Sequence, residues 1–455
     1  MKDRRHHLPE GKVIHLPGHD KAQPQEACGN AVAIPEPVNS LGATLQLVRA
    51  EAGAAALLVL RIREFRELAE SFGDACGQQL SREISRRLAG CVRDSDQVLP
   101  LGAGEFAIVL PQPEDLEDVN LICERLVQSC AGHYQLEEVT PLVNAAIGIA
   151  LYPADTNEVN DVERYAHIAL RRAESGTGKD YHYFSREMLT RQRYRIWMEG
   201  ELKRALSEDR FTLYYQPQYA LDSHEIVGME ALVRLLTVEG EVIQPDDFIG
   251  IAEENSFIVD LGYWVIREAC RQLAEWRQAG CGPDRIAVNV SPRQLLDSQL
   301  PDVIDQAIVD SGLLHLDLEL EVTESCMLEY LPVTGDVLRK LREKGVRIAV
   351  DDFGAGYSSF ATLAQLPLDI FKLDRSFMSN VSSDPRARHV VTAMIAMARE
   401  LGYQVIAEGV ETDQQYRFLQ ASGCDLGQGF GLARPQDAES VSRLLQTLDA
   451  AALVS

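Results

Sequence analysis

The sequence lacks the cysteine pairs and long apolar runs that mark several common classes of protein. Its nine cysteines are scattered and include no CxxC pair, so neither a zinc cluster nor a disulfide framework is indicated. We expect them to be small core residues in a reducing compartment. No apolar run is long enough to cross a bilayer, and the start MKDRRHHLPEGKV has no signal-peptide core. These absences predict a cytoplasmic protein with no membrane partner.

Positive charge is also scarce. The 44 Lys and Arg residues against 69 Asp and Glu give a formal net charge of −25, which opposes binding to nucleic-acid polymers because such binding depends on Lys and Arg. A small anionic substrate would need a bridging cation or a local basic group. The 46% hydrophobic and 25% charged residues are typical of a soluble globular protein. A chain of 455 residues is too long for one ordinary core, so two domains are expected.

The pattern along the chain predicts a tail, two domains and a linking helix. Residues 1–40 are polar and aperiodic, which predicts a mobile tail. A metal-binding tract is the alternative for the tail's histidines, whose spacing fits no metal site: His6, His7, His15 and His19. Residues 41–184 predict an α/β sandwich with a mainly antiparallel sheet, including one helix through EFRELAESF and GQQLSREISRRL. Residues 185–208 predict the linking helix.

From residue 209 to residue 455 strands and helices alternate, which predicts a (β/α)8 TIM-like barrel. The active site of such a barrel lies at the C-terminal ends of its strands, and polar side chains are expected there. They are Glu230, Asn289, Glu321, Glu324, Asp351, Asp352, Lys372, Asp374, Glu408 and Glu411. Any one of them alone would be read as a helix cap or a solvated charge. Together they would repel one another unless something positive lay between them.

Divalent metal is the simplest answer to that repulsion. The ligands are all oxygen, with no His or Cys nearby, which favours Mg²⁺ or Mn²⁺ over zinc. The adjacent pair Asp351 and Asp352 suits two ions, since one carboxylate can bridge while the other reaches the second ion. Lys372 is suited to position or activate an attacking water. The pattern predicts metal-assisted hydrolysis of a phosphoester.

Nine short segments in this half resemble one known family in order and spacing. They read YYQP, EALVR, FIGIAEEN, VNVS, LELEVTES, DDFGAGYSS, KLDRSF, AEGVET and GCDLGQGF. From about Phe211 to Pro435 the chain resembles the EAL domain of cyclic di-GMP phosphodiesterases. The resemblance implies hydrolysis of cyclic di-GMP to linear pGpG with two Mg²⁺ or Mn²⁺ ions.

The resemblance also implies roles for individual residues. The first metal site would use Glu230, Asn289, Glu321 and Asp351. The second would use Asp351 with Asp352, while Glu408 would help to hold the metals and the attacking water, and Lys372 would contact that water. Glu324 would steady the DDFGAG loop, which in this family couples metal binding to a dimer contact, so a homodimer through the barrel is expected. Substrate contacts are implied for Gln216, Leu232, Arg234 and Gln428.

The first domain resembles a diguanylate cyclase (GGDEF) domain that has lost its catalytic residues. The signature reads LGAGEF, with Gly104 in place of the central acidic residue, and Arg61 aligns with a metal-binding aspartate. Ala69, Gln78 and Glu174 replace further ligand-contacting residues. Loss of carboxylate ligands predicts that no cyclase activity remains. The domain is then expected to be a regulatory or dimerisation module.

Arg93 and Asp96 form an RxxD placed as in the family's inhibitory site for cyclic di-GMP. An arginine there is able to pair with phosphate or stack on guanine. The alternative is a surface salt bridge or helix-end pair. For the whole chain, two other functions stay open: a non-catalytic cyclic di-GMP receptor, and a bifunctional enzyme that also makes cyclic di-GMP. Loss of metal ligands would favour the receptor, and activity on GTP would favour the bifunctional enzyme.

Overall fold

The computed structural model describes residues 41–51, 53–113, 115–136, 139–175, 179–329, 331–353 and 367–452. The chain divides into two compact units, with the boundary between Leu189 and Thr190. The predicted tail, with its histidines, lies outside the described residues. The predicted domain limits stay a prediction, and each unit is described by itself below.

The first unit is built around a five-stranded sheet in the order β2-β3-β1-β6-β7. The strands are β1 (Ala55–Ile62), β2 (Gln97–Gly102), β3 (Glu105–Pro111), β6 (Ala145–Tyr152) and β7 (Tyr181–Tyr183), and a separate hairpin joins β4 (Gly132–His133) to β5 (Leu142–Val143). All pairs in the sheet are antiparallel except β6 with β7. The predicted mainly antiparallel sheet is therefore confirmed.

Helices cover both faces of this sheet, because β1 is apolar at every position but one. They are α1 (Leu41–Glu51), α2 (Phe65–Phe72), α3 (Asp74–Ala89), α4 (Leu116–Cys130) and α5 (Val159–Glu174). Successive side chains of a strand point to opposite faces. Leu58 and Leu60 accordingly lie in one core with residues of α3 and α4. Leu57 and Val59 lie in a second core with residues of α1 and α5.

The single helix predicted through α2 and α3 is wrong. The two helices are separated at Gly73, whose φ of 85° is a conformation that glycine adopts at no steric cost. The helix α1 was not predicted. The linking helix is observed as α6 (Arg186–Ser207), and its Met198 and Leu202 belong to the core of the second unit.

The second unit is a closed barrel. The eight strands of its ring are β8 (Phe211–Ala220), β9 (Ile226–Leu236), β11 (Arg285–Asn289), β12 (Leu318–Thr323), β13 (Arg347–Phe353), β14 (Ile370–Leu373), β15 (Gln404–Ala407) and β16 (Leu426–Gly427). They follow one another from β9 to β16 in parallel, and β8 closes the ring by pairing antiparallel with both β9 and β16. The short strands β10 (Val242–Ile243) and β17 (Gln436–Asp437) pair antiparallel with β9 and β8, respectively. The predicted barrel is confirmed, with one reversed strand.

Helices follow the strands and cover the outside of the barrel. They are α7 (Ile249–Glu254), α8 (Phe257–Gln278), α9 (Pro292–Leu295), α10 (Leu300–Ser311), α11 (Glu324–Glu329), α12 (Leu331–Lys344), α13 (Arg375–Met378), α14 (Pro385–Glu400), α15 (Asp413–Ala421) and α16 (Ala438–Ala452). Outward-facing strand residues such as Ile286, Leu320 and Val350 pack with apolar helix residues in one large core. The inward-facing residues are therefore left to form the site. Across the part of the chain described here, every helix is too short or too polar to span a membrane.

Candidate active site

The ammonium group of Lys372 lies among carboxylates inside the barrel. Its Nζ is 2.7 Å from Glu321 Oε2, 2.7 Å from Glu408 Oε1 and 3.1 Å from Asp351 Oδ1. Glu230 Oε2 is further away, at 3.9 Å. The Lys372 and Glu321 side chains are fully buried, and a buried charge is tolerated only when it is paired. The structure therefore brings five of the predicted residues around one point.

Strand register explains this convergence. In the parallel ladders Asn289 is paired with Glu321, and Thr323 with Asp351. The register between β13 and β14 shifts between Val350 and Phe353, so the ladder is irregular at the predicted ligands. Such irregularities re-aim side chains next to active sites.

Several predicted strand-end positions need correction: Asp374 and Glu411 lie one and four residues beyond the ends of β14 and β15, and three others are placed differently as well. Glu230 lies in the middle of β9 rather than at its end, because β8 and β9 form a long hairpin that extends beyond the barrel mouth. Glu324 is the first residue of α11, one residue after β12 ends. Glu408 follows the last residue of β15. All three still belong to the C-terminal side of the parallel strands.

The charges in this cluster perturb one another strongly. Burial raises the pKa of Glu321 well above its usual value, and repulsion by Glu230 adds to this effect. Burial also raises the pKa of Glu408 to about 7, against the attraction of Lys372. Burial alone would lower the pKa of Lys372, but the four surrounding carboxylates raise it well above its usual value. Burial opposes ionisation of Glu230 too, yet Lys372 and hydrogen bonds from Gln428 and Asn289 keep its pKa lowered.

One ammonium therefore leaves much of the negative charge uncompensated. Glu321 Oε1 is buried and has no hydrogen-bond partner among the described residues. An orphaned carboxylate oxygen beside further oxygen donors fits a hard divalent cation. The carboxylate oxygens converge on Lys372 Nζ. Among the described residues, no group of three Asp, Glu, His or Cys side chains is arranged to hold a metal ion. The donor chemistry fits the predicted metals, and the metal site stays a prediction.

Two buried amides connect to Glu230. Gln428 Nε2 donates to Glu230 Oε2 at 2.5 Å and to Gln216 Oε1 at 3.0 Å. Gln216 Nε2 donates in turn to the backbone oxygen of Ala433 at 3.0 Å. On the other side, Asn289 Nδ2 donates to Glu230 Oε1 at 2.8 Å. Two of the predicted residues, Gln428 and Asn289, thus contact Glu230 directly, and Gln216 is connected to it through Gln428.

Two cavities open beside the cluster. One, of about 230 Å³, is lined by Glu230, Asp351, Glu408, Gln216 and Gln428, and also by Arg375, Glu411 and Phe430. A larger one, of about 760 Å³, includes Arg234 and Asn289 in its lining. Leu232 lines both cavities. All four predicted substrate contacts therefore border space that a ligand can enter.

Sequence reasoning missed two residues that line the smaller cavity, Arg375 and Phe430. Each lies a few residues beyond a strand end, and Phe430 is half exposed, at 53%. Their position just after strands β14 and β16 was the available signal. Arg234 donates to the backbone oxygen of Val233 at 2.8 Å and lies 5.4 Å from the centre of the Tyr214 ring.

The remaining predicted residues of the second unit are not shown to contact the cluster around Lys372. Glu324 is buried at the start of α11. Asp352 lies in β13, but its side chain is outside the described part of the structure, as is the DDFGAG loop beyond Phe353. The predicted dimer contact therefore stays a prediction. Asp374 caps α13 by accepting from Ser376 N at 2.9 Å, so for this residue the helix-cap interpretation is correct.

In the first unit, the degenerate signature also forms a charged cluster. Arg61 contacts Glu105 at 2.5 Å and Glu174 at 2.7 Å. His167 Nε2 lies 3.2 Å from the second oxygen of Glu105. The position of Gly104 leaves no room for a side chain, since a Cβ there would lie 2.4 Å from a ring carbon of Phe65. A guanidinium thus lies between the signature residue Glu105 and Glu174, at the end of α5.

The predicted inhibitory pair makes local contacts. Arg93 donates to Asp118 Oδ1 at 2.7 Å, and Asp96 Oδ2 accepts from the backbone nitrogen of Arg93 at 2.8 Å. These are the contacts expected of a surface salt bridge and a turn. The inhibitory site stays a prediction without support from the described contacts.

Fold and site together define a protein with a lysine-centred acidic site inside a barrel of seven parallel strands and one antiparallel strand. Residues 199–435 match the family model described as the EAL domain, and residues 39–179 match the model of the diguanylate cyclase, GGDEF domain. The chain belongs to the EAL family and carries a GGDEF domain before its EAL domain. The resemblance predicted from the sequence is confirmed.

Curated relatives share both parts. The chain is 37% identical over 391 residues to the cyclic di-GMP phosphodiesterase NbdA of Pseudomonas aeruginosa, covering 86% of this chain and 50% of NbdA. It is 33% identical to MucR of the same organism, a bifunctional diguanylate cyclase and cyclic di-GMP phosphodiesterase, covering 85% of this chain and 56% of MucR. The chain therefore spans about half the length of the curated relatives it matches.

A solved structure matches the second unit. The structure titled PaMucR phosphodiesterase in complex with c-di-GMP is 37% identical, with a TM-score of 0.52, and covers 54% of this chain and 99% of that one. The similarity extends over the whole of that barrel domain, so the barrel described above is the EAL domain.

Proposed function

We propose that this protein hydrolyses cyclic di-GMP to linear pGpG in the barrel, with divalent cations, and that its first domain is catalytically inactive. The observation that carries the proposal is the buried cluster in which Lys372 faces four carboxylates at the C-terminal side of the strands. Relatives named as cyclic di-GMP phosphodiesterases support the substrate. The intact set of oxygen donors supports catalysis over a receptor that only binds the nucleotide.

The residues that would hold two cations, Mg²⁺ or Mn²⁺, are Glu230, Asn289, Glu321, Asp351, Asp352 and Glu408. Bound there, the cations would stabilise charge on the phosphoryl oxygens and ease ionisation of the attacking water. The chain's own residues supply orientation and a fixed positive charge. Lys372 donates to Glu321 at 2.7 Å and contacts Glu408, so it holds both carboxylates in one arrangement. Its charge also favours the negative charge that develops when water opens a phosphodiester bond.

The cavity walls supply substrate binding. Leu232 offers an apolar surface between the two cavities, and Arg234 lines the larger one. The arginine carries a positive charge that an anionic nucleotide requires in a chain of net charge −25. Glu324, buried at the start of α11, is proposed to steady the segment that follows β13.

The first domain does not fit the metal that a cyclase requires. Arg61 occupies the position between Glu105 and Glu174, and the ring of Phe65 fills the space beside Gly104. A cation would have to displace a guanidinium that is already paired with both carboxylates. MucR is named as bifunctional, but these contacts favour a regulatory or dimerisation role for the domain in this chain.

The test is hydrolysis of cyclic di-GMP by the purified chain with Mg²⁺ or Mn²⁺, followed by chromatography for pGpG. We expect product that disappears with EDTA and with Glu230→Ala, and that persists with Glu225→Ala, an exposed glutamate just before the same strand. GTP should give no cyclic di-GMP. Tight binding of the nucleotide without metal and without product would overturn the proposal and make the protein a receptor.

A further inference from the structure

We propose that the N-terminal mouth of the barrel, the end at which its parallel strands begin, is a second binding site that takes a phosphate group on Arg347. The acidic cluster around Lys372 lies at the opposite end of the same strands. The inference goes beyond the proposed hydrolysis and does not depend on it.

Four inward-facing side chains form a layer at this mouth. Strand residues alternate between the two faces of a sheet, and Ile286, Ile348 and Val405 belong to the core outside the barrel. The residues that precede them, at the starts of β11, β13 and β15, therefore face the interior. With the last residue of the reversed strand β8 they make up a layer from alternate strands: Ala220, Arg285, Arg347 and Gln404. Such layers are usually filled by bulky apolar side chains, whereas this one carries two guanidinium groups and an amide.

All four residues of the layer line one cavity of about 550 Å³, a size typical of sites for small molecules. Between this cavity and the active site lies a buried apolar cluster that consists of Ala349, Ile370, Ile406 and Leu426. Two residues further along three of these strands come charged groups of the active site: Asp351, Lys372 and Glu408. The cavity is therefore a separate site and not an extension of the acidic cluster.

Arg285 is paired inside the barrel. Its Nε donates to Glu319 Oε2 at 2.6 Å, and both side chains are buried. Its Nη2 donates to Gln218 Oε1 at 3.4 Å. Gly228 leaves room for this arrangement, because a Cβ there would lie 3.2 Å from Arg285 Cγ and 2.6 Å from Gln218 Oε1. The charge of Arg285 is therefore compensated by Glu319 before any ligand enters the cavity.

Arg347, by contrast, has no such partner. Its side chain is half-buried, and among the described residues it forms no ion pair and no side-chain hydrogen bond. Glu319 is its neighbour in the ladder between β12 and β13, but that carboxylate is occupied by Arg285. Withdrawing a charge from water without a partner is unfavourable, so an anion in the cavity would stabilise Arg347.

Three aspartates also line the cavity, and none of them pairs with Arg347. Asp425 Oδ2 accepts from Val405 N at 2.8 Å, and Asp425 Oδ1 lies 3.8 Å from Arg399 Nε. Asp222 and Asp284 are exposed, so solvent and salt screen their charges. These carboxylates are suited to accept hydrogen bonds from hydroxyl groups of a ligand.

The lining fits a phosphate group, either free or carried by a small hydroxylated compound. The planar fork of a guanidinium binds phosphate through two parallel hydrogen bonds. Gln404 adds amide donors beside Arg347. A large polyanion fits less well, because the aspartates at the edge of the cavity would repel its further charges.

The experiment is a calorimetric titration of the 455-residue chain with inorganic phosphate and, separately, with ribose 5-phosphate. Both titrations contain EDTA, so that no metal ion at the acidic cluster can bind the probe. We expect both probes to bind, and Arg347→Met to weaken their binding by roughly 10–100-fold because charge-assisted hydrogen bonds are lost. Tighter binding of ribose 5-phosphate would assign the site to a phosphate monoester, and equal binding would assign it to free phosphate.

The matched control is Arg267→Met, which removes an exposed arginine of α8 and changes the net charge equally. It should leave both affinities unchanged. Arg347→Lys keeps the charge but loses the fork, so its affinity should lie between those of the unmodified chain and Arg347→Met. This variant also keeps the test valid if Arg347→Met does not fold. Absence of binding to the unmodified chain, or equal affinity in the unmodified chain and the Arg347 variants, would overturn the inference.

Discussion

Each unit of this protein places one cation among carboxylates, and the two clusters differ in how well they are balanced. In the barrel, the ammonium of Lys372 faces Glu230, Glu321, Asp351 and Glu408. In the described part of the first unit, the guanidinium of Arg61 forms ion pairs with two carboxylates, Glu105 and Glu174.

The type of cation also differs. Arginine presents a planar fork of donors that fills the acceptor positions of two carboxylates, whereas lysine is a compact charge that leaves oxygens unpaired. Glu321 Oε1 in the barrel is such an oxygen, since no described residue donates a hydrogen bond to it. We therefore propose that the barrel cluster stays open to a metal ion because its internal ammonium is too small to satisfy all of its carboxylate oxygens. The guanidinium in the first unit instead closes its cluster.

The largest effect is expected when Lys372 is replaced by methionine. Removal of one partner from a buried ion pair typically costs about 3–5 kcal/mol, and here four carboxylates would lose their common counter-ion. Loss of a preorganised charge at the reacting centre should also lower kcat by about 10²–10³-fold. Denaturant unfolding should show a larger loss of stability in EDTA than in Mn²⁺, because bound cations replace part of the missing charge.

The control for this variant is Lys340→Met on the exposed face of α12, which should change neither stability nor kcat. A loss of stability for Lys372→Met that is equal in EDTA and in Mn²⁺ would contradict the idea that the cluster is built to accept cations.

The next largest effect is expected at Gly104, in the first unit. Gly104→Asp would restore an acidic residue at the centre of the signature, but φ is +77° and the new Cβ would lie 2.4–2.8 Å from Phe65 atoms near the base of its side chain. Overpacking costs typically about 1–3 kcal/mol, so thermal unfolding of the full chain should show the first unit destabilised. No cyclic di-GMP should form from GTP, even when Arg61→Asp is added.

Gly102→Ala is a suitable control, because a Cβ at that positive-φ glycine meets nothing within 4 Å. It tests the cost of the backbone conformation without the clash. Cyclase activity in the Arg61→Asp and Gly104→Asp double variant would contradict this prediction. It would show that the two acidic side chains are all that the domain lacks and that room for them remains beside Phe65.

Sequence patterns predicted the barrel well because its strands are apolar outside and its motifs are short and dense. They also predicted which carboxylates converge, since strand ends of a barrel share one face. Glu230 was placed wrongly at a strand end, because hairpin length depends on pairing that periodicity does not show. The break at Gly73 was missed because both flanking helices continue one apolar pattern.

The sequence did not predict which side chains contact one another. The contact from Gln428 to Glu230 joins residues far apart in the chain, so no local spacing indicates it. The same holds for Arg61 with Glu174, where alignment predicted two independent losses and the structure shows that they compensate each other. Phe430 and Arg375 follow strand ends as the other site residues do, but neither carries the carboxylate or amide oxygen that marks a candidate metal ligand.

A smaller effect is expected for Arg61→Met. It leaves Glu105 and Glu174 facing each other, but these side chains are partly exposed, so solvent screening limits the cost to about 1–2 kcal/mol at neutral pH. Arg66→Met, which breaks a fully exposed pair with Glu70, should have no measurable effect.

The pH dependence of this cost has a definite sign. Burial alone would raise the pKa of Glu105, but hydrogen bonds from Arg61 and His167 hold it below its usual value of 4.5. A lowered pKa stabilises the folded state above pH 4.5, and that stabilisation is lost as pH falls further. The difference in unfolding free energy between the unmodified chain and Arg61→Met should therefore shrink below that pH. A difference that grows on acidification would contradict the pairing.

The smallest effect is expected at Arg93. The test decides whether this residue belongs to a surface salt bridge or to the predicted inhibitory site for cyclic di-GMP. The guanidinium of Arg93 forms a salt bridge with Asp118, and the Arg93 side chain is 54% exposed. Arg93→Ala should therefore change the free energy of unfolding by less than about 1 kcal/mol. Equilibrium dialysis should give the same number of cyclic di-GMP molecules bound per chain as before, since the inhibitory site predicted at this pair has its arginine already occupied. Asp118→Ala releases that arginine, and it is the sharper half of the test. If nucleotide binding increases only when Asp118 is removed, then the salt bridge is what keeps this RxxD closed.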